Sequence, residues 1–415
     1  MSGPGVGLGA VADDVTGATD LAGALVARGV RTALVLGVPD GPLRADADAV
    51  VVALTTRTAP ADRARDESCR SARWLRSQGA AVLYAKYCST FDSTPAGNIG
   101  PVADALLDLV GAPAVVHCPA YPATGRTLYQ GHLFVGRALL SETGMRHHPL
   151  TPMTDPDLVR VLGAQTDRPV GLLALAGDGG RARRLADLVA DGAVHVLADA
   201  VTDADVDDLA AAAAGHPLLA GGAAFGAAAG AALTGPRAGP AAALDVPGGT
   251  AAVLVGSASE ATRGQVASFA RTGPVRRFTA EEAADPATVD ALVAWAEPRL
   301  DDGPVLLAVD ADPAAVGRAQ RVLGGAEAAR GVERVLGELA RRLHGLGVRR
   351  LVVAGGESSG AVAGALGITQ VRVGPPICPG VPWTVSDDPE LAVAFKSGNF
   401  GGPDFFTDAF AVLRG

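Results

Sequence analysis

The chain has 415 residues, a formal net charge of −9 and 48% hydrophobic residues, enough for two or three domains and a large core without covalent staples. Its four cysteines, none in CxxC spacing, exclude a disulfide framework, a zinc ribbon and a thioredoxin-type site. The acidic balance excludes a general nucleic-acid binder, which would carry a basic stripe.

Among 35 basic residues only Lys86 and Lys396 are lysine, and the only asparagines are Asn98 and Asn399. Where arginine serves almost everywhere, a retained lysine points to a position that needs a compact, mobile ammonium. The start of the chain lacks a basic segment and meets Asp13 and Asp14 early, unlike a signal peptide. The longest uncharged run, within 209–236, is mostly Ala and Gly and lacks the large apolar side chains of a membrane span. A cytoplasmic protein with reduced thiols is expected, with no membrane or nucleic-acid partner.

Short apolar runs alternate with amphipathic stretches, the pattern of βαβ units and parallel sheets. The run 6–12 predicts a strand, 17–28 a helix and 32–36 a second strand. Further strands are predicted at 49–54, 81–86, 114–117, 170–175 and 193–197, with helices over 61–78, 97–111, 180–190 and 203–214. From 221 to 249 the periodicity fails among glycines and prolines, and the segment reads as a domain end followed by a linker. A new series then begins, with strands at 251–256, 304–309 and 350–354 and a long helix pair over 313–346. The fold class is α/β: two α/β domains, 1–235 and 248–415, with largely parallel sheets and a cleft between them.

Several junctions carry residues suited to chemistry. VADDVTGATD (11–20) places Asp13 and Asp14 at the carboxyl edge of a parallel sheet, where open α/β folds bind ligands. Such a carboxylate can accept from substrate hydroxyls, hold Mg2+ or act as a general base; it can equally cap the following helix. KYCSTFDSTPAGNIG (86–100) follows a strand-ending Lys86 with Ser89, Thr90, Asp92, Ser93 and Thr94, a set suited to a small anionic, hydroxylated ligand. The stretches 119–135 and 146–155 hold Arg126, His132, His147 and His148 in a long, irregular, proline-rich segment. Segments of that kind are usually functional, and Arg and His there can clamp a carboxylate, although any one histidine can equally be a packed or surface residue. The adjacent His147 and His148 seldom present both rings to one metal ion.

In the second half, LVVAGGESSGAVAGALG (351–367) runs strand, Gly-Gly, then Ser and Gly at a helix start, an arrangement that binds phosphate through free N–H groups. FKSGNFGGPDFF (395–406) gathers Lys396, Asn399 and glycines in one turn, and VGSASEAT (255–262) puts Ser257 at a strand–helix junction. Glycine packing, a surface turn and a helix cap are the plainer alternatives for these three. Together, an acid- and hydroxyl-rich site in the first domain and phosphate-binding turns in the second suggest a transferase.

These segments resemble the four-carbon acid sugar kinase family, over nearly the whole chain. The resemblance is carried by VADDVTGATD (11–20), GRT (125–127), GGESSG (355–360), PGVPW (379–383) and KSGNFGGPDFF (396–406). KYCSTFDS (86–93), GHLFV (131–135) and MRHHPLTPMTD (145–155) resemble the branch acting on 3-oxo-tetronates; the threonate or 4-hydroxythreonine branch usually shows a KIDSTLRG-like string at the first of these. The resemblance implies ATP-dependent phosphorylation of the 4-hydroxyl of a 3-oxo-tetronate, with a sugar-acid domain followed by a nucleotide domain. It places ATP near Ser257, Gly355, Gly356, Glu357, Ser358 and Gly398 to Gly401, Asn399 among them.

In that activity the catalytic group is expected to be Asp13, Asp14, Lys86 and Asp92, with Arg57, Ser89, Thr90, Arg126 and His148 on the sugar acid. Mg2+ and Lys396 are expected to neutralise the transferring phosphoryl group, with the metal ligands unassigned. Three departures stand out: Ser358 where threonine is common, Asn98 in place of serine, and Gly221-Gly222-Ala223 where the family often has Gly-Gly-Ser. The sugar acid and ATP are the expected partners, and a homo-oligomer stays open. Other readings are a sibling kinase for D-threonate or 4-hydroxythreonine and a sugar-acid sensor without turnover. An NAD dehydrogenase is disfavoured because residues 6–17 carry DDVTG instead of GxGxxG.

Overall fold

Residues 6–147, 151–234, 244–310, 312, 318, 321–322, 325–396, 398 and 400–413 are described by a computed structural model of the chain. The chain divides into two compact units, Met1–Ala242 and Ala243–Gly415.

The first unit begins with β1 (Leu8–Ala12), α1 (Val15–Ala27), β2 (Thr32–Leu36), β3 (Ala49–Ala53), α2 (Ala61–Ser77), β4 (Val82–Lys86), α3 (Ile99–Val110) and β5 (Val115–Cys118). A small antiparallel ribbon follows, made of β6 (Arg126–Tyr129), β7 (His132–Val135) and β8 (Ala138–Leu139). Then come α4 (Leu158–Gly163), β9 (Val170–Leu173), α5 (Arg181–Ala190), β10 (His195–Ala198), α6 (Asp203–Ala212), β11 (Leu218–Gly221) and α7 (Ala223–Thr234).

The unit's main strands run parallel in the order β2-β3-β1-β4-β11-β5-β10-β9. Every residue of β1, β3 and β4 is buried, as expected of strands covered by helices on both faces. The chain runs from β1 out to β2 and back to β3 on one side, then crosses to β4 on the other, so β1 sits where the strand order reverses. The register sets Ala12 beside Ala53 and Lys86, so three strands end level at that point. This is the kind of place where an open α/β sheet binds its ligand.

The second unit holds β12 (Thr250–Val255), α8 (Glu260–Phe269), β13 (Val275–Phe278), α9 (Ala287–Ala296), β14 (Val305–Val309), α10 (Gly325–Gly345), β15 (Val348–Ala354) and α11 (Gly356–Leu366). It ends with β16 (Gln370–Cys378), β17 (Val381–Asp387), β18 (Glu390–Lys396) and α12 (Phe405–Val412). Its strand order is β13-β14-β12-β15-β18-β17-β16, parallel as far as β18 and antiparallel beyond. Again the order reverses at the first strand, with β12 between β14 and β15. Trp383 and Phe410 anchor the core on one side, the buried indole donating to Ala409 O at 2.8 Å.

Three differences from the sequence reading have physical causes. The segment from 221, predicted as a domain end without periodicity, opens with a twelve-residue helix, α7. It has almost no apolar face because it is buried nearly all round, and its small residues let it approach α1 closely: a Cβ on Gly226 would meet Leu21 at 2.7 Å. The stretch after Tyr121, predicted to be irregular, forms the β6–β8 ribbon. Asp199, fully buried, fastens it by accepting from the N–H groups of Gln130 (2.7 Å), Gly131 (3.0 Å) and Leu175 (3.1 Å). The antiparallel β16–β18 end was also unforeseen. Of the predicted helix pair over 313–346, α10 is described, and most of 311–324 lies outside the described residues. No helix among the described residues is long and apolar enough to cross a membrane.

Candidate active site

In the first unit the site grows from the level ends of β1, β3 and β4. Asp13 and Asp14 follow β1, Arg57 follows β3, and Lys86 is the last residue of β4. Arg57 closes a fork on Asp13, with Nε to Oδ2 at 3.0 Å and Nη2 to Oδ1 at 2.8 Å, and Nη2 also reaches Asp14 Oδ1 at 2.7 Å. Asp14 is the N-cap of α1 as well, accepting from Gly17 N at 2.7 Å on the same Oδ1. Both alternatives left open by the sequence thus meet in one residue: it caps, and it stands in the charged cluster. Burial raises the Asp14 carboxyl above the ordinary range; Arg57 opposes this and Asp13 reinforces it.

Arg57 is itself held by the N-cap residue of α3. Asn98 donates to the carbonyls of Thr56 (2.7 Å), Arg57 (3.3 Å) and Ala59 (3.2 Å), clamping the loop that presents the guanidinium. A serine there, one hydroxyl donor, has no amide to share among three carbonyls.

Lys86 is 4% exposed and its ammonium donates to Tyr87 O at 2.8 Å. In the loop beyond it, Thr90 donates to Asp92 Oδ1 at 2.6 Å, and Asp92 Oδ2 stands 3.9 Å from Arg57 Nη1. Asp13, Asp14, Arg57, Lys86, Thr90 and Asp92 are therefore gathered at one strand-end cluster. Ser89 is half-buried in the same loop. Arg126 starts β6, donating to Thr124 O at 2.9 Å.

Asp20, one turn and a half along α1, was not singled out in the sequence. Burial raises its carboxyl too, offset by Lys86, with Arg126 and a hydrogen bond from Tyr121 acting the same way as Lys86. The motif VADDVTGATD contains it, and helical spacing from Asp13 to Asp20 is the signal that could have found it. His132 bonds Gln130 O at 2.7 Å through Nδ1, and His147 is exposed. His148 lies outside the described residues.

The second unit's site lies at the ends of β12, β15 and β18. Lys396 ends β18, 0% exposed, and its ammonium donates to Thr262 Oγ1 at 3.1 Å and Gly398 O at 3.0 Å. Burial pushes its pKa down to about 8. Gly398 O also accepts from Ser259 Oγ and Thr262 Oγ1, each at 2.7 Å, so three side chains turn this carbonyl inward. A Cβ on Gly398 would lie 2.6 Å from Ser257 Oγ, which explains the glycine.

After β15, Gly355 takes φ 129°, a conformation open to glycine, and its N–H donates to Lys396 O at 2.8 Å. Helix α11 then starts at Gly356 with no side-chain cap on its N–H groups. Ser358 is buried in its first turn, while Glu357 is exposed. Gly401 belongs to a turn that Gln265 holds: its amide Nε2 lies 3.0 Å from each of the carbonyls of Phe400, Gly401 and Gly402. Thr262 closes the VGSASEAT segment noted in the sequence, whereas no sequence signal marked Gln265. Asn399 lies outside the described residues. Beside Ser257 a cavity of about 240 Å³ is lined by Arg263, Val266, Arg277, Ala308 and Asp310 among others. Among the described residues no group of three His, Cys, Asp or Glu is placed to hold a metal ion.

Residues 8–229 match the family model of a sugar-binding N-terminal domain, and 252–406 that of a nucleotide-binding C-terminal domain. A Burkholderia multivorans protein named 3-oxo-tetronate kinase is 49% identical over 98% of this chain and 97% of its own. One of the same name from Cupriavidus necator is also 49% identical, with the same coverage. The crystal structure of a Haemophilus influenzae protein, 39% identical, matches with a TM-score of 0.87 over 97% of this chain and 99% of that one.

Proposed function

The chain belongs to the four-carbon acid sugar kinase family, with its sugar-binding and nucleotide-binding domains, and we propose that it is a 3-oxo-tetronate kinase. The observation that carries this is the 49% identity, over 98% of the chain, to a relative of that name. In this reading ATP phosphorylates the 4-hydroxyl of 3-oxo-tetronate, the first unit taking the sugar acid and the second the nucleotide.

The residues of the second unit suit a polyphosphate. The uncapped N-terminus of α11 offers N–H groups, and Gly355 and Gly398 keep the backbone open beside the hydroxyls of Ser257 and Ser358. Lys396 and Gln265 turn the carbonyls of 398 and 400–402 toward themselves, which leaves the turn's other face to an anion. Bound Mg-ATP supplies the phosphoryl group and much of the charge neutralisation around it.

In the first unit Asp14 takes the proton from the attacking hydroxyl. Its bonds to Arg57 and Gly17 both fall on Oδ1, so Oδ2 is the oxygen for a substrate, and a raised pKa suits a general base. Asp13 keeps Arg57 in its fork, and Lys86 and Arg126 supply positive charge for the sugar-acid carboxylate. Thr90 and Asp92 address its hydroxyls.

The test is direct. Purified protein with Mg-ATP is given 3-oxo-tetronate, D-threonate or 4-hydroxythreonine while ADP is followed. ADP release is expected to be fastest with 3-oxo-tetronate. Faster release with either of the others moves the assignment to a sibling kinase, and binding without ADP overturns the kinase reading.

A further inference from the structure

One buried polar array takes no part in the reading above. His117 on β5 and His195 on β10 are both 0% exposed, inside a largely apolar parallel sheet. Their rings stack with centroids 5.3 Å apart and planes 28° apart, and His117 Nε2 lies 3.0 Å from His195 Nδ1. The array continues in both directions. At one end His195 Nε2 is 2.9 Å from Asp104 Oδ1 on α3; at the other His117 Nδ1 is 3.2 Å from the Tyr87 hydroxyl. Asp104 also accepts from Thr166 Oγ1 at 2.7 Å, pairs with Arg168 at 3.1 Å, and has a side chain 23% exposed. The array therefore runs from the protein surface to the end of β4.

Counting protons gives it a direction. An ionised carboxylate only accepts, so His195 donates from Nε2. A neutral imidazole then accepts at Nδ1, so His117 donates from Nε2 and accepts at its own Nδ1 from the Tyr87 hydroxyl. With Asp104 ionised and both rings neutral, one arrangement satisfies all four groups. Burial lowers the proton affinity of both rings, which keeps them neutral.

Tyr87 is a pivot for the sugar-acid loop. Its carbonyl takes the Lys86 ammonium, its N–H donates to Gly221 O at 3.1 Å, and its ring meets Phe91 edge-on with centroids 5.2 Å apart. Phe91 and Asp92 have φ values of 65° and 31°, a left-handed backbone that is uncommon outside glycine and least expected of a bulky side chain such as Phe91. Such strain persists only where the surroundings over-determine it, and it gathers at ligand sites. Here it turns Asp92, which accepts from the Thr90 hydroxyl, toward Arg57.

We propose that Asp104, His195, His117 and Tyr87 form a hydrogen-bond relay of fixed polarity that locks Tyr87 and, through Phe91, holds the strained Thr90–Asp92 turn in place for the sugar acid. Tyr87 is then a positioning residue, and the two histidines act through it. The relay rests on the sugar-acid site proposed for the first unit.

The experiment has two arms, both on the full chain. Imidazole 15N spectra of the wild type at neutral pH should show both rings neutral and protonated at Nε2. A charged ring, or an Nδ1-protonated tautomer at either histidine, overturns the relay. In the second arm Tyr87→Phe keeps the ring and removes the donor. Its KM for the sugar acid should rise about three- to tenfold, the worth of one neutral hydrogen bond, with KM for ATP unchanged. Asp104→Asn, at the partly exposed end, should act in the same direction and change the His195 spectrum. Unchanged sugar-acid kinetics in Tyr87→Phe, or an equal rise in both KM values, overturns the positioning role. The spectra need no turnover, so failure to phosphorylate any four-carbon acid counts against the kinase reading alone.

Discussion

Lys86 and Lys396 each end a strand at the carboxyl edge of a sheet, Lys86 directly beside the strand where the order reverses and Lys396 two strands from it, and each is almost wholly buried. Their surroundings differ in kind. Around Lys86 stand full charges: it draws on the carboxylates of Asp14 and Asp20, and Arg57 bridges Asp13 and Asp14. Lys396 is met by dipoles, the Thr262 hydroxyl and the Gly398 carbonyl, with the Phe405 ring 5.7 Å away. Opposed charges in a buried cluster shift proton affinities and suit proton transfer. Oriented dipoles at a helix start suit a polyanion, because they are already aligned before it arrives. The same residue type thus serves two kinds of electrostatics, set by what the adjoining strands supply.

The hardest test of that contrast is Asp14→Asn. Asparagine is as good an N-cap as aspartate, so α1 should remain intact. Loss of the proton acceptor should lower kcat by about 10²–10⁴-fold, with KM for ATP unaltered. Steady-state kinetics beside a circular dichroism spectrum would check it. Near-normal turnover in a folded variant would mean that the charged cluster does not move the proton, and the contrast would collapse. In the wild type, a base with a raised pKa works only once ionised, so the rate should climb as pH rises through that value, above the ordinary 3.8. The sign for stability is opposite: the contribution of Asp14 is fully present below 3.8 and lost as pH rises through its raised value.

Lys396 gives the next largest effect, at the other end of the pH scale. Its ammonium loses its proton as pH rises through about 8, so kcat/KM for ATP should fall there along an alkaline limb. Lys396→Arg should abolish that limb, since a guanidinium stays charged, at some cost in fit. A pH profile measured at saturating sugar acid separates the two proteins, and an identical limb in both would assign the titration elsewhere. For stability, a depressed lysine contributes above its ordinary 10.5, and that contribution disappears as pH falls through about 8. At neutral pH the buried ammonium therefore costs stability, as expected of a charge kept for use.

Much of this was visible in the chain itself, for local reasons. Strand β1 and the two aspartates after it, the scarcity that singled out Lys86 and Lys396, and the Gly-Gly before α11 are each written within about ten residues. What escaped depends on distant partners. Helix α7 has no periodicity because α1 and its neighbours cover it on all sides, and its glycines make sense only once Leu21 lies against them. Asn98 was marked as a departure from serine, but its reason is three carbonyls about forty residues earlier. The β16–β18 ribbon was missed because antiparallel pairing is decided between strands, although Pro379-Gly380 makes the two-residue turn from β16 to β17.

Gln265 is the plainest case of a residue whose role only the fold reveals, and it supports the smallest of the expected effects. It is 1% exposed on α8, and its Nε2 faces three successive carbonyls of a turn more than 130 residues away. An amide nitrogen has two hydrogens, so the three contacts share them, and the turn is drawn in from a single point. Gln265→Met fills similar space and removes the donor. Three carbonyls of the turn then lose this partner, and the turn carrying Gly401 should loosen. KM for ATP should rise about three- to tenfold, while KM for the sugar acid stays the same, because the loss is of neutral hydrogen bonds in the second unit only. Should both values move together, the two electrostatic sites are not separable in the way their surroundings suggest. If neither moves, the face of the turn opposite Gln265 is not where the nucleotide binds.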